Sequence, residues 1–249
     1  MLRLFSSIRQ GLVNKGQTSK YFRYAFGEVV LIVVGILIAL QINNWNEGRK
    51  LEGDRQELIN ALKVDFEENL RSLDRSIKAA DRRKDDMEQF LIDIFDETKE
   101  MDPVEFRQSS LRFFSPGAFT ARLRAYRQAT SSGFIQFLRN DDLSEMLHTF
   151  DSVNARLQDL EELQNSAFFN SGFAELRGRL GSMRLLQKTD VPSQEPFKYS
   201  NKELRSILQQ NENYSIYENR FTLHESKRRR LVELKDRAVE ILTALEALD

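Results

Sequence analysis

Apolar and polar positions along this chain fall into two regimes. Between Tyr24 and Trp45 the apolar residues are almost continuous, as Tyr24-Ala-Phe-Gly-Glu28-Val-Val-Leu-Ile-Val-Val-Gly35-Ile-Leu-Ile-Ala-Leu40-Gln-Ile-Asn-Asn-Trp45. As a helix this stretch spans roughly 31 Å, close to the roughly 30 Å hydrocarbon core of a bilayer. Tyr21 and Tyr24 at one end and Trp45 at the other stand where amphipathic rings anchor a span at its water interfaces. The pattern predicts a transmembrane helix over 24–45, preceded by a basic arm over 1–23.

Beyond Trp45 the apolar residues recur every three or four positions. Leu58, Leu62, Phe66, Leu70, Leu73, Ile77, Ala80, Met87, Leu91 and Ile94 form such a stripe, with no proline before Lys99 and the last glycine at Gly53. After Phe66 the spacing alternates four and three, a heptad seam that Lys84 interrupts. The membrane helix is expected to continue as one long rod. Asp102-Pro103-Val104-Glu105 has the form of a capping box with proline at the first helical position. Ser115-Pro116-Gly117 restarts the chain into a helix ending at Ser131-Ser132-Gly133. Asn140-Asp141-Asp142 starts another helix, carrying Leu143, Leu147, Phe150, Val153 and Leu157, with a kink expected near Gly172, Gly178 and Gly181. Residues 189–199 are the clearest loop. Ser200-Asn-Lys-Glu203 is a further capping box, opening a last helix that runs to the end of the chain. No strand-like alternation occurs. The expected fold is all-α: one N-terminal transmembrane helix continuing into an antiparallel bundle of roughly four helices over 46–249.

Charge sets the orientation. Arg3, Arg9, Lys15, Lys20 and Arg23 precede the span without an acidic residue, giving +5 before Gly27 and, from the total of −1, about −6 for the remainder. Arg49, Lys50 and Arg55 follow the span among Glu47, Glu52, Asp54 and Glu57. The Lys/Arg bias predicts a cytoplasmic N-terminus. A cleaved signal peptide is the rival reading, but its basic region would exceed 20 residues and Ala39-Leu40-Gln41 is a poor cleavage site. The arm itself carries Leu2, Phe5, Ile8, Leu12 and Val13, so it is either an amphipathic segment on the anionic leaflet or a plain basic tail. The chain has no cysteine, which removes disulfides, a lipoprotein anchor and a cysteine nucleophile.

Candidate functional residues lie mainly in the span. Gly35 and Ala39 form a small-xxx-small pair with Gly27 two turns earlier, a face that lets helices approach closely. Glu28 is a carboxylate inside the membrane boundary, set either to pair with a partner helix or to reach back to Arg23 or Lys20. Phe113, Phe114, Phe119 and Phe134, broken up by turns, are either a binding patch or the closure of the bundle core. Lys227-Arg228-Arg229-Arg230 is flanked by Glu225 and Glu233 and fits a solvated, salt-bridged face. Glu145-Met-Leu-His148 is half of a di-metal carboxylate motif, and Phe221 stands where the second half would need its glutamate before His224. His224 fits a satisfied bundle residue. No metal, cofactor or nucleic acid is expected, and no phosphate-binding loop, nucleophile elbow or zinc-protease motif occurs.

The block Lys20-Tyr-Phe-Arg-Tyr-Ala-Phe-Gly-Glu28 through Leu40-Gln41-Ile-Asn-Asn-Trp45-Asn-Glu47 resembles the opening of an uncharacterised family of small single-pass membrane proteins from Gram-negative bacteria, known only as a domain of unknown function. Ala125-Tyr126, Ser131-Ser132-Gly133, Ile135, Asn140 and Leu143 are similar to a second block of it. After the glycine this chain has Phe134-Ile-Gln-Phe-Leu138 where the family carries a leucine-serine-leucine-isoleucine type of turn. The resemblance implies an inner-membrane helical protein and brings no activity with it. The function expected is therefore a non-catalytic, membrane-anchored interaction module, with its bundle in the periplasm and its partner a second copy or another membrane protein. A sensor or signalling accessory working through a partner is the alternative, and a carboxylate-based hydrolase is a remote third.

Overall fold

The computed structural model describes residues 18–99, 109, 112–113, 117–170 and 200–248. The chain divides into two units, Met1–Glu57 and Leu58–Asp249. Among the described residues every regular element is helical, as the apolar periodicity predicts. They are α1 (Thr18–Phe95), α2 (Arg124–Ser132), a 3-10 turn (Phe134–Leu138), α3 (Asp141–Asn170), α4 (Asn201–Leu208) and α5 (Asn211–Glu246).

Helix α1 is 78 residues long. Lacking proline, it ends only where Asp96 turns its carboxylate onto the Thr98 backbone N–H (3.0 Å) and hydroxyl (2.6 Å). That side chain offers the backbone an alternative to the next helical turn. Within the second unit, α1 buries residues in a heptad pattern. Ile59, Phe66, Leu73, Ala80, Met87 and Ile94 hold one seam position, and Leu62, Asn69 and Phe90 the other, with Ser76 and Arg83 half-buried on that same line. The sequence expectation placed the second line one residue later. Leu70, Ile77, Lys84 and Leu91 are in fact only half-buried flanking residues, and Lys84 pairs with Glu88 instead of interrupting the core.

Helix α5 carries the same spacing without a break: Asn213, Tyr217, Arg220, His224, Lys227, Leu231, Leu234, Ala238, Ile241 and Leu245 are its buried residues. On α3, Leu143, Leu147, Phe150, Val153, Asn154, Leu157 and Gln164 are buried. Two contacts along α5 and one just before it fix its direction. His224 meets Ala80, Lys235 meets Asp74 and Gln209 meets Ile94, so α5 runs antiparallel to α1. Phe66 packs edge-on against Phe150 (centroids 4.9 Å apart, 67°), and Glu161 joins Lys227, one turn from the His224–Ala80 contact. Helix α3 therefore runs with α1.

Two apolar cores result. The larger gathers Ile59, Leu62, Phe66 and Leu73 of α1, Leu147 and Phe150 of α3, and Leu234 and Ile241 of α5, closed by Phe119, Leu123 and Tyr126. The smaller holds Met87, Phe90, Ile94, Phe113, Leu208 and Tyr217.

Local chemistry sets the other boundaries. Gly133, at φ 75°, ends α2 in the left-handed region. Asn140 caps α3 by accepting from the Leu143 N–H at 2.9 Å. The Ser200–Glu203 capping box is present in both directions. Two expectations need correction. Residues 117–123 are not helical, because their N–H groups are taken by side chains from α1 and α3, described below. The last helix is also broken between α4 and α5. Gln209 reaches across to Ile94 O (2.8 Å), while Asn213 and Tyr217 of α5 donate to Ile207 O (2.7 Å) and Leu208 O (2.9 Å). Those bonds satisfy the C-terminal carbonyls of α4 that a continuous helix would have used. The expected helix start at Asp102, the break at Ser115-Pro116, the kink around Gly172–Gly181 and the loop at 189–199 lie outside the described residues.

Candidate functional site

In the first unit the feature that bears on function is an apolar sleeve. An 18-residue window of α1 reaches a mean hydropathy of 2.5, and none of that window is buried by the rest of the chain. Every valine, leucine and isoleucine from Val29 to Ile42 is between 43% and 71% exposed. Each such side chain gains roughly 1.5–3 kcal/mol on leaving water, and the sleeve is long and apolar enough to cross a membrane. Gly27 and Gly35 have open space where a Cβ would project, Ala39 is exposed, and Glu28 is half-buried. At the far end Trp45 is 67% exposed, with the Arg49 guanidinium 5.6 Å from its ring centroid. Tyr21 and Tyr24 lie on the helix; their side chains fall outside what is described.

In the second unit a polar stretch separates the two apolar cores. It is built where the seams of three helices turn polar together: Asn69, Ser76 and Arg83 on α1, Glu161 and Gln164 on α3, and Arg220, His224 and Lys227 on α5. A strap, residues 117–123, is held over it. Asn69 pairs with the Arg122 backbone in both directions, its Nδ2 donating to the carbonyl (2.8 Å) and its Oδ1 accepting from the N–H (2.6 Å). Asp65, one turn earlier, accepts from the Ala125 N–H (3.0 Å) and forms an ion pair with Arg122 Nε (2.8 Å). Glu161 accepts from the Phe119 N–H (2.9 Å) and from Lys227 Nζ (2.5 Å). Lys227 donates also to the Gly117 carbonyl, and Arg220 Nε to the Phe113 carbonyl (3.3 Å).

His224 is 2% exposed and bonds the Ala80 carbonyl through Nε2 at 3.0 Å. A carbonyl only accepts, so Nε2 carries the proton. Burial holds the His224 pKa below its ordinary value, and the charges of Arg83 and Arg220 add to that against the Ala80 bond and Glu225. Burial likewise lowers Lys227, opposed by Glu161, and brings Arg220 down to about 10, with Arg83 contributing. Arg83 is itself lowered by burial and favoured in its charged form by Asp86. Its guanidinium lies against the Cα of Gly117, in space that any side chain at 117 would claim.

Between strap and helices lies a partly open cavity of about 280 Å³, lined by Ser72, Arg75, Ser76, Ala79, Ala80, Arg83, Gly117, Ala118, Phe119, His224, Lys227 and Leu231. Small side chains on one face of α1 leave this room. Among the described residues no carboxylate lines it.

Several sequence-level candidates are dispersed. Phe113 (0% exposed) belongs to the smaller core, packed on Phe90 and Tyr217 at 4.9 and 5.6 Å, and Phe119 (4%) belongs to the larger. Only Phe134 is exposed, stacked edge-on with Phe137 at 4.9 Å. Phe114 lies outside the described residues. Phe113 and Phe119 thus close two different cores and share no surface patch. The basic run is not uniformly solvated either. Arg228 pairs with Asp81 and Arg230 with Glu233, but Lys227 is 4% exposed. His224 is the satisfied core residue its position suggested. Asp65, Asn69, Arg83 and Glu161 carried no motif, and their only signal is polarity recurring on an otherwise apolar seam.

The class defined is an all-helical protein with one helix long and apolar enough to cross a membrane. The chain belongs to a family of unknown function, DUF6090, whose model matches residues 28–165, more than half of the chain. No curated protein and no solved structure matches it.

Proposed function

We propose that this chain is a non-catalytic, single-pass membrane protein of the bacterial inner membrane, with a cytoplasmic N-terminus and a periplasmic helical domain that docks a partner. The observation that carries the reading is the unburied sleeve from Val29 to Ile42, which needs lipid or another helix to cover it. The basic arm supports the orientation, and the open Gly27–Gly35–Ala39 face supports close approach by a second copy or another membrane protein. The hydrolase reading draws no support from Glu161, which is tied to the cavity-lining Lys227 and to the Phe119 N–H.

Single-cysteine labelling in intact cells tests the reading, since the native chain has no cysteine. Ser206 on α4 is exposed, and Ser7 lies in the basic arm. An impermeant thiol reagent is expected to label Ser206→Cys and to spare Ser7→Cys until the membrane is permeabilised. Labelling of Ser7→Cys alone would reverse the topology and sink the periplasmic reading. A sensor or signalling accessory is the second reading, favoured by the cavity in the bundle.

A further inference from the structure

Among the described residues the polar stretch brings three cationic side chains together. Arg83, Arg220 and Lys227 face one another closely enough to oppose each other's charge, and among the described residues Glu161 is bonded to Lys227. Asp86 and Glu225 act on Arg83 and His224 from further out, and Asp86 is shared with Arg112 at 3.8 Å. Buried charge left uncompensated is costly, and natural cores pair it. Lys227 and Arg220 are spent on backbone carbonyls. Arg83 is not: among the described residues its guanidinium donates no hydrogen bond, and neither do the hydroxyls of Ser72 and Ser76 on the same face of α1. These groups line the cavity, with Lys227 and His224 on its α5 wall and Arg75 also lining it, 3.3 Å from Glu68 and well exposed. The polar lining is donors and cations, and the remainder is Ala79, Ala80, Ala118, Phe119 and Leu231.

We infer that this cavity is a binding site for a small oxyanion, a phosphate or short-chain carboxylate group, seated between the Arg83 guanidinium, the Ser72 and Ser76 hydroxyls and the Lys227 ammonium beneath the 117–123 strap. Three features select the ligand. The volume of about 280 Å³ lies at the small end of ligand pockets. A guanidinium fork beside hydroxyl donors matches the acceptor geometry of a phosphate or carboxylate. Among the described residues the lining holds no acidic side chain, which disfavours a cation. The same chemistry is offered by an anion in solution and by a phospholipid headgroup, and the test below separates them. Because the strap crosses the site, an occupant would also tie α1, the strap and α5 together.

The test is thermal unfolding of the full chain in dodecyl maltoside at constant ionic strength. The buffers are chloride, chloride with inorganic phosphate, chloride with succinate, and chloride with phosphatidylglycerol added to the micelles. At tenfold saturation an anion bound only by the folded state is expected to raise Tm by about 3–6 °C. Arg83→Gln is expected to abolish that rise while melting at or above the wild-type temperature in chloride, because it removes one of three facing cations. Those two responses have opposite signs, which no purely structural clamp would produce. Ser76→Leu, which fills the cavity without touching charge, is expected to lose the rise as well. A rise in the phosphate or succinate arm assigns a soluble anion, and a rise with phosphatidylglycerol alone assigns a headgroup. No rise in any arm overturns the inference, as does a rise that Arg83→Gln and Ser76→Leu leave intact. Neither result bears on the topology labelling, so the two proposals fail separately.

Discussion

Asn69 offers the sharpest test of how the strap is held. Its side chain is 1% exposed and makes a two-way pair with the Arg122 backbone at 2.8 and 2.6 Å, as one peptide group pairs with another in a sheet. Asn69→Ala removes both bonds. Each contributes about 0.5–1.5 kcal/mol net, and stranding a buried partner adds its own desolvation cost, so the loss should be about 2–3 kcal/mol. For a domain of this size that is a fall in Tm of roughly 4–12 °C. Circular dichroism at 222 nm on the full chain in micelles reads it, because detergent keeps the apolar part of α1 helical and the transition reports the bundle. Asn69→Asp sharpens the argument. It keeps an acceptor for the Arg122 N–H but turns the donor into a second carboxylate oxygen facing the Arg122 carbonyl, one turn from Asp65. It is expected to lose at least as much as the alanine variant. Trypsin supplies a local readout, since loosening the strap should speed cleavage after Arg122 and Arg124. An alanine variant melting within about 1 °C of wild type, or an aspartate variant indistinguishable from it, would refute the role given to this pair.

Three further outcomes follow from the same structure. Because burial lowers the His224 pKa, the unfolded chain binds a proton at this site before the folded one does; stability should hold above about pH 6.5, the ordinary histidine value, and decline below it. Tm measured from pH 7.5 to 5.5 should fall for wild type and less for His224→Gln, and equal slopes would contradict the assignment. Gly117→Ala puts a Cβ where the Arg83 guanidinium sits; because that is the end of a flexible side chain, Tm should change little while the phosphate response weakens. Phe66→Ala, at 0% exposure against Phe150, should cost about 3–5 kcal/mol by equilibrium denaturation. A loss under about 1 kcal/mol there would mean the larger core is not packed as described.

The parts of this fold legible in the sequence are those set by local chemistry. The apolar run from Val29 to Ile42, the glycine stop at Gly133, the helix start at Asn140-Asp141-Asp142 and the Ser200–Glu203 box each rest on residues close in sequence. The missed parts depend on distant partners. Residues 117–123 look like the start of a helix until Asn69, 53 residues before Arg122, and Glu161, 42 residues after Phe119, take their backbone groups. The break at Gln209 is invisible without Ile94, because neither proline nor glycine marks it. The aromatic residues Phe113 and Phe119 look alike in sequence but enter different cores.

The seam on α1 explains why the site itself was hidden. A stripe drawn through Phe66, Leu70, Leu73, Ile77 and Ala80 is entirely apolar, so it is the stripe a search for periodicity selects. The buried line runs one residue earlier, through Asn69, Ser76 and Arg83, and there the helix turns polar for two heptads. Helix α5 does the same over Arg220, His224 and Lys227 before becoming apolar from Leu231 onward. A seam can hold a polar layer when that layer specifies register, at a cost in stability. Here the layer does more than set register, since its groups are divided between tasks. Asn69, Glu161 and Lys227 hold the strap in place, Arg220 and His224 bond carbonyls of Phe113 and Ala80, and Arg83 with Ser76 is left facing the cavity. Fixing helix register alone would be served by neutral amides. The Arg83 guanidinium and Ser76 hydroxyl facing the cavity are the part that register does not explain, and they are the part a bound anion would complete.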